Sequence, residues 1–239
     1  MDLNSNIATS RLAAQERAID VIANNIANMN TPGYKAERVQ FSDWLSRQSD
    51  GSQIAYTQDR ATWRELSPGS LSHTGNPLDL AIAGGGYFTV STPRGPRLTR
   101  DGRFGLMPDG TIADSSGDTL MDTNGRPIRI GPTDTNLTVS GDGTLSSENG
   151  QIGKIGVVQP QNPMQLMAEG GTLFQSNSNT VQVAKPQVVQ GAIEESNVQP
   201  IAEMTRLIDG ERTYQFLVQY VQSESDRAKS ATDKIVPQS

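Results

Sequence analysis

Four short stretches carry residue types that could do chemistry, and in each the neighbours fail to supply the rest. His73 is the only histidine in 239 residues. As a general base it would need an orienting acid and a nucleophile, and Leu71, Ser72 and Thr74 beside it offer neither, so it reads as a solvated loop histidine. Gly84-Gly85-Gly86 could cradle a phosphate, yet no Lys-Ser/Thr follows and the run opens a strand instead of a helix; close backbone approach is the better reading. Asp114-Ser115-Ser116-Gly117-Asp118 begins like a calcium loop but lacks the full ligand series and its closing Glu, which leaves a plain turn. Asn136-Leu137-Thr138 fits a glycosylation acceptor, a pattern with little content outside a eukaryotic secretory context. The carboxylates are spread through turns and helix faces, and no pair stands out as acid and base. The expectation is a protein that is not an enzyme, with no catalytic residue, no cofactor, no metal and no small-molecule substrate.

Composition narrows the classes further. A net charge of −6 removes the basic surface that nucleic-acid binding requires. The absence of cysteine rules out disulfides, thiol catalysis and thiolate metal sites. Met1-Asp2-Leu3-Asn4-Ser5 has neither the basic start nor the apolar run of a cleaved signal peptide, so none is expected. Hydrophobic residues make up 34% and aromatics 5%, against 23 Gly and 13 Pro, which suggests a thin, turn-rich, elongated molecule.

The elements that would carry a function are therefore the ones that bury apolar surface. Residues 3 to 29 form a seam of Ala8, Leu12, Gln15, Ile19, Ile22, Ile26 and Met29, with steps of four and three and one polar break at Gln15. Ala14, Ala18 and Val21 widen it to a second face. Pro32 stops this helix, and Asn30 and Gly33 tolerate the positive φ that follows a helix end. At the other end Met204, Leu207, Glu211, Tyr214, Val218, Val221 and Ser225 repeat the same spacing. Ser196 or Asn197 would cap that helix, Pro200 fits its first turn, and Glu194 and Glu195 would complement its dipole. Gly210, inside the run, marks a bend or a close neighbour. Between the helices the period falls to two. Pro77 to Ala83 alternates, Tyr87 to Val90 follows, and Asp-Gly or Asn-Gly pairs at 101, 109, 124, 142 and 149 mark hairpin turns.

These stretches also resemble a known family. Residues 23–35, Ala-Asn-Asn-Ile-Ala-Asn-Met-Asn-Thr-Pro-Gly-Tyr-Lys, look like the N-terminal signature of flagellar basal-body rod and hook proteins. Thr74 to Ile82, Gly86-Tyr87-Phe88 and Thr99 to Phe104 resemble central motifs of the same family, and Glu195-Ser196-Asn197-Val198 its C-terminal signature. Within the family, Asn197 to Thr205 is more similar to the proximal-rod member than to the distal-rod one. The resemblance implies a structural subunit that assembles with itself and with other proximal and distal rod proteins into the shaft transmitting torque from motor to hook. It implies export by the flagellar type III apparatus, and a place in the basal body within the periplasm. Phe41-Ser42-Asp43-Trp44-Leu45 is similar to a short export-gate element, with Phe41 and Leu45 as its hydrophobic positions; neck packing is an equal reading of both.

The expected fold is α+β: long N- and C-terminal helices (1–35 and 196–239) paired in a coiled-coil-like polymerisation layer, a neck (36–75 and 161–195), and a central all-β domain of short hairpin strands (76–160). The expected assembly interface is Leu12, Ile19, Ile22, Asn25, Ile26, Asn28 and Met29 on the first helix and Met204, Leu207, Tyr214, Val218 and Val221 on the second. Asn24, Asn25 and Asn28 would either fix register between neighbours or simply end the helix. The competing readings are a distal-rod subunit and a β-rich surface-binding or adhesion module on a helical stalk.

Overall fold

The computed structural model describes the backbone of residues 3–47 and 53–235, and the side chains of residues 8–40, 62–227, 229 and 230. The chain divides into two compact units. One comprises Met1–Ala27, Ala36–Glu65 and Gln199–Ser239, the other Asn28–Lys35 and Leu66–Val198.

The first unit holds helix α1 (Leu3–Ala27), strands β1 (Glu37–Arg47) and β2 (Gln53–Arg64), and helix α2 (Pro200–Ile235). Helix α1 ends where the sequence has Asn28 to Pro32, because Pro32 has no N–H to continue the ladder. Strands β1 and β2 form an antiparallel two-stranded ribbon with a register shift between Gln40 and Phe41. Such a ribbon is marginal alone. Here it lies along α1.

The second unit is β throughout. Its strands are β3 (Leu71–His73), β4 (Leu80–Ile82), β5 (Tyr87–Thr92), β6 (Gly95–Thr99), β7 (Gly105–Leu106), β8 (Ile112–Ala113) and β9 (Thr119–Leu120). They continue with β10 (Thr138–Val139), β11 (Thr144–Ser147), β12 (Gly150–Lys154), β13 (Val157–Pro160) and β14 (Leu166–Ala168). The last are β15 (Leu173–Ser176), β16 (Thr180–Gln182), β17 (Val188–Gln190) and β18 (Ala192–Glu194). The main sheet runs β14-β15-β6-β5-β9-β8-β7, with β13 joining β5 to β16. Strands β10, β11 and β12 make a small meander, while β17 pairs with β4 and β18 with β3. Phe88, Val90, Phe104, Ile112, Leu120, Leu145 and Ile155 form the core, with the Phe88 and Phe104 rings edge to face at 5.7 Å.

The turns follow the side-chain chemistry. Asp109, Asp114, Asp122 and Asp142 each accept the N–H two residues on, at 2.8–3.2 Å, which fixes the chain for the glycine that follows. The Asp114 stretch is thus a turn closed on itself, Asp114 Oδ1 also accepting from the Asp118 amide at 2.9 Å. Gly102 departs from the expected positive-φ turn: its φ is not positive, and a Cβ there would stand 1.5 Å from the Leu80 carbonyl oxygen. Its role is close approach.

Four other expectations change. His73 is not in a loop; it is an exposed residue of β3, paired with Ala192. Helix α2 begins at Pro200, and the Glu203 amide bonds to the Gln199 carbonyl, so neither Ser196 nor Asn197 caps it. Glu194 does not face the helix dipole; it is a buried residue of β18. The two neck segments divide, because Glu37–Arg47 and Gln53–Arg64 form the ribbon while β3 and β14–β18 hydrogen-bond into the second unit. Strands of three or four residues are too short to show a period, which is why 161–195 reads as a connection.

One acidic contact has a measurable consequence. Glu148 accepts from the Thr135 amide at 3.0 Å, the Thr135 hydroxyl at 2.7 Å and the Asn136 amide at 2.9 Å, tying loop 131–136 to the β11–β12 turn. The Thr135 hydroxyl first, then these amides, favour the carboxylate and pull its pKa from 4.5 to about 2. A depressed carboxylate contributes stability above its ordinary range and loses it as pH falls through the folded value. The loop amides of Thr135 and Asn136 should therefore stay protected at pH 4 and open only near pH 2. A Glu148 carboxyl that titrates at 4.5 by NMR would refute the tie.

Candidate assembly surface

Within the first unit α2 packs along α1. On α2 the sheltered positions are Glu203, Leu207, Gly210, Tyr214, Leu217, Val221 and Glu224, buried or half-buried at steps of four and three. This is a heptad face. At Gly210 the helices are in close contact. Gln15 Nε2 donates to the Gly210 carbonyl at 3.2 Å, and a Cβ on Gly210 would stand 3.3 Å from Ile19 Cγ1. The polar break in the first seam and the glycine in the second meet each other, and of the two readings of Gly210 the close neighbour holds.

The face packed on α1 includes Leu207, Tyr214 and Val221 of the expected interface and leaves Met204 and Val218 outside it. Leu207, Tyr214 and Val221 are half-buried, whereas Met204 and Val218 are exposed, their places being taken by Glu203 and Leu217. Opposite the sheltered face stand Ile201, Met204 and Ile208, spaced three and four apart on one side of the helix and 82%, 48% and 50% exposed. Phe216 adds a fourth large apolar group at 68%. Four such residues along one helix are more than scattered surface leucines would explain.

On α1, Leu12, Ile19, Ile22 and Ile26 are half-buried, and Ala8 and Ala14 are buried. Asn25 is fully buried: its Nδ2 donates to the Glu37 carbonyl at 2.9 Å and its Oδ1 accepts the Glu37 amide at 2.8 Å. It fastens β1 to α1 by mimicking a strand neighbour, a role outside both expected readings. Asn28 and Met29 lie beyond the helix end, half-buried, and Asn28 accepts from the Thr31 hydroxyl at 3.2 Å and the Thr31 amide at 3.1 Å. Phe41 and Leu45 fall in β1, but their side chains lie outside the described residues.

At the start of α2 a charged cluster completes the unit. Arg38 bonds to Glu203 at 2.5 Å and to Glu65 at 3.2 Å, and Arg206 also reaches Glu203 at 2.5 Å. Burial opposes the Arg38 charge, but its two carboxylate partners outweigh that and hold its pKa above the ordinary value. No sequence period marked this cluster; Glu203 beside a proline-started helix, with Arg38 just past the first turn, was its only trace. Among the described residues no cluster of metal-ligating side chains occurs, and no helix is long and apolar enough to cross a membrane.

Comparison with known proteins assigns this arrangement. A family model described as flagella basal body rod protein matches residues 6–35, one for the flagellar hook protein FlgE/F/G D1 domain matches 81–147, and one for the flagellar basal body rod FlgEFG protein C-terminal region matches 189–234. A "Flagellar basal-body rod protein FlgF" of Caulobacter vibrioides is 34% identical over 98% of this chain and 98% of its own length. The chain belongs to the flagellar basal-body rod family. Another family member named FlgF, from Mesorhizobium japonicum, is 35% identical over 93% of this chain and 94% of its own. A relative named FlgG, from Bacillus subtilis, is 34% identical over 82% and 85%. Where more than 90% of this chain is covered, identity is 34–35% to relatives named FlgF and 31% to one named FlgG, in agreement with the likeness of residues 197–205 to the proximal-rod member.

Proposed function

We propose that this chain is a structural subunit of the bacterial flagellar basal-body rod, of the FlgF type, and that it assembles with copies of itself and with other rod proteins into the shaft between motor and hook. The observation that carries the reading is likeness along the whole chain to a named rod protein, 34% over 98% of both. The exposed apolar side of α2 supports it, since a shaft transmits torque only if its subunits bury large seams against one another. In this reading α1 and α2 form a coiled-coil-like layer that polymerises, with Leu12, Ile19, Ile22, Ile26, Leu207, Tyr214 and Val221 contributing the seam between them and Met204 and Val218, joined by Ile201, Ile208 and Phe216, meeting neighbours. The β unit adds lateral contacts. The subunit leaves the cytoplasm through the flagellar type III apparatus, with Phe41 and Leu45 as the export-gate element, and works in the periplasm. The role requires no catalysis.

Removing the gene from its own bacterium tests the proposal. Cells should lack a complete rod and fail to swim, and the protein supplied in trans should appear as density in the proximal part of isolated basal bodies by cryo-EM. Swimming cells with complete rods would overturn it, and density confined to the distal segment would favour the FlgG-type role.

A further inference from the structure

Glu194 sits in the second unit with 1% of its side chain exposed, and three distant segments converge on it. Lys35 Nζ donates to its Oε1, as does the Gly69 amide at 3.0 Å, while Arg100 Nη1 donates to its Oε2 at 2.9 Å. Its backbone carbonyl accepts the Gly33 amide at 2.7 Å. Both cations are buried, Lys35 at 1% and Arg100 at 8% side-chain exposure, and they lie 159 and 94 positions upstream of the carboxylate. The flanking chain continues the pattern. Val188 and Gln190 pair with Ile82 and Leu80, Ala192 pairs with His73, the Gly191 amide bonds to the Asp79 carbonyl, and Asn197 Nδ2 donates to the Ser67 carbonyl at 3.0 Å.

We infer that residues 188–198 form a closing strap, that Glu194 is its pin, and that the β unit cannot complete until the strap is seated. The reason is electrostatic as well as geometric. Lys35 also donates to the Ser67 carbonyl at 2.9 Å, and Arg100 to the Ile82 and Gly84 carbonyls at 3.2 and 2.6 Å; these acceptors are neutral, so removing the Glu194 carboxylate takes a full negative charge away from two buried like charges, a state that a folding chain avoids by staying open. With it, both charges are compensated by one carboxylate whose two oxygens both accept, so closure is tied to residue 194. A chain leaves the ribosome from its N-terminal end, and under the rod reading it would leave an export channel the same way. The strap therefore arrives last, and only then does the segment 33–35 gain its bonds to Glu194 and Asn197.

Hydrogen exchange on the purified full chain tests this, and its outcome does not depend on whether the chain builds rods. In Glu194→Gln the amides of Gly33, Gly191 and Asn197 should exchange at least about 100-fold faster, as breaking a buried ion pair implies, while those of β5 and β6 stay protected. Adding Lys35→Met should bring the strap back to within about tenfold of the parent, because one of two buried like charges has been removed. If Glu194→Gln does not fold, the unmodified chain serves: in rising urea, strap amides should open at lower concentration than those of β5 and β6. In a folded Glu194→Gln, unchanged exchange, equal acceleration of strap and β5–β6, or no recovery with Lys35→Met would each overturn the inference, as would strap and β5–β6 amides of the unmodified chain opening together in urea.

Discussion

Ile208→Asp should abolish rod assembly and swimming while leaving the isolated chain as stable as the parent. Ile208 is 50% exposed on the side of α2 turned away from α1. Exposed positions away from caps and networks usually change stability by about 0.5 kcal/mol or less. In the proposed rod the same side chain is buried against a neighbour, so the substitution forfeits about 1.5–3 kcal/mol of apolar burial per copy and adds a carboxylate whose desolvation costs several kcal/mol more. A filament repeats that loss at every subunit. Ile22→Asp and Ile26→Asp should block assembly too, but as half-buried residues of α1 they should also loosen the first unit while the β unit keeps its fold. The measurements are swarm diameter, thermal melting and near-ultraviolet circular dichroism of the purified variants. Motile cells carrying Ile208→Asp would show that this side of α2 meets nothing.

Gly33→Ala should unfold or severely weaken the β unit, although residue 33 belongs to a turn just past α1. Gly33 has φ of 68°, where a residue with a Cβ pays about 1–2 kcal/mol. A Cβ there would also stand 2.3 Å from the Arg100 carbonyl carbon and from the Asp101 amide nitrogen, both backbone atoms that cannot swing aside. Displacing the turn would further pull its amide from the Glu194 carbonyl. Together these should cost about 3 kcal/mol or more, a fall of roughly 6–12 °C in melting temperature for a unit of this size. Gly33→Asn separates the two causes, since asparagine tolerates the left-handed backbone but still carries a Cβ. If Gly33→Asn melts with the parent, the close approach to Arg100 is not what fixes this glycine.

Helix ends and turns could be read locally because proline, glycine and aspartate act on their own backbone. Pro32 ended α1, Gly33 took a positive φ, and the Asp-Gly turns formed at 109 and 142, all from the chemistry of adjacent residues. The family resemblance at 23–35, 74–104 and 195–198 also held over the full chain. The heptad read on α2 crosses from the side packed on α1 to the exposed side at Met204 and Val218 for a definite reason. That helix carries apolar residues on two sides, Leu207, Tyr214, Leu217 and Val221 on one and Ile201, Met204 and Ile208 on the other, and a single heptad drawn through both averages them. The Lys35, Arg100 and Glu194 triad left no trace, because its members are far apart in sequence and charge gives no period. Asn25 was singled out correctly as special, yet its partner is the backbone of Glu37, which no side-chain pattern can reveal.

The meeting of Gln15 with Gly210 bears on how the two helices answer a load. Apolar surfaces slide past one another with little resistance, since one isoleucine contact is readily exchanged for the next. An amide hooked onto a carbonyl at the single place where the second helix has no side chain works like a key in its slot: a slip of one turn, about 5.4 Å, would carry the amide away from the notch and drive a larger side chain into its place. A twisted machine part built from such pairs would return to its original setting when the load is released, without creep.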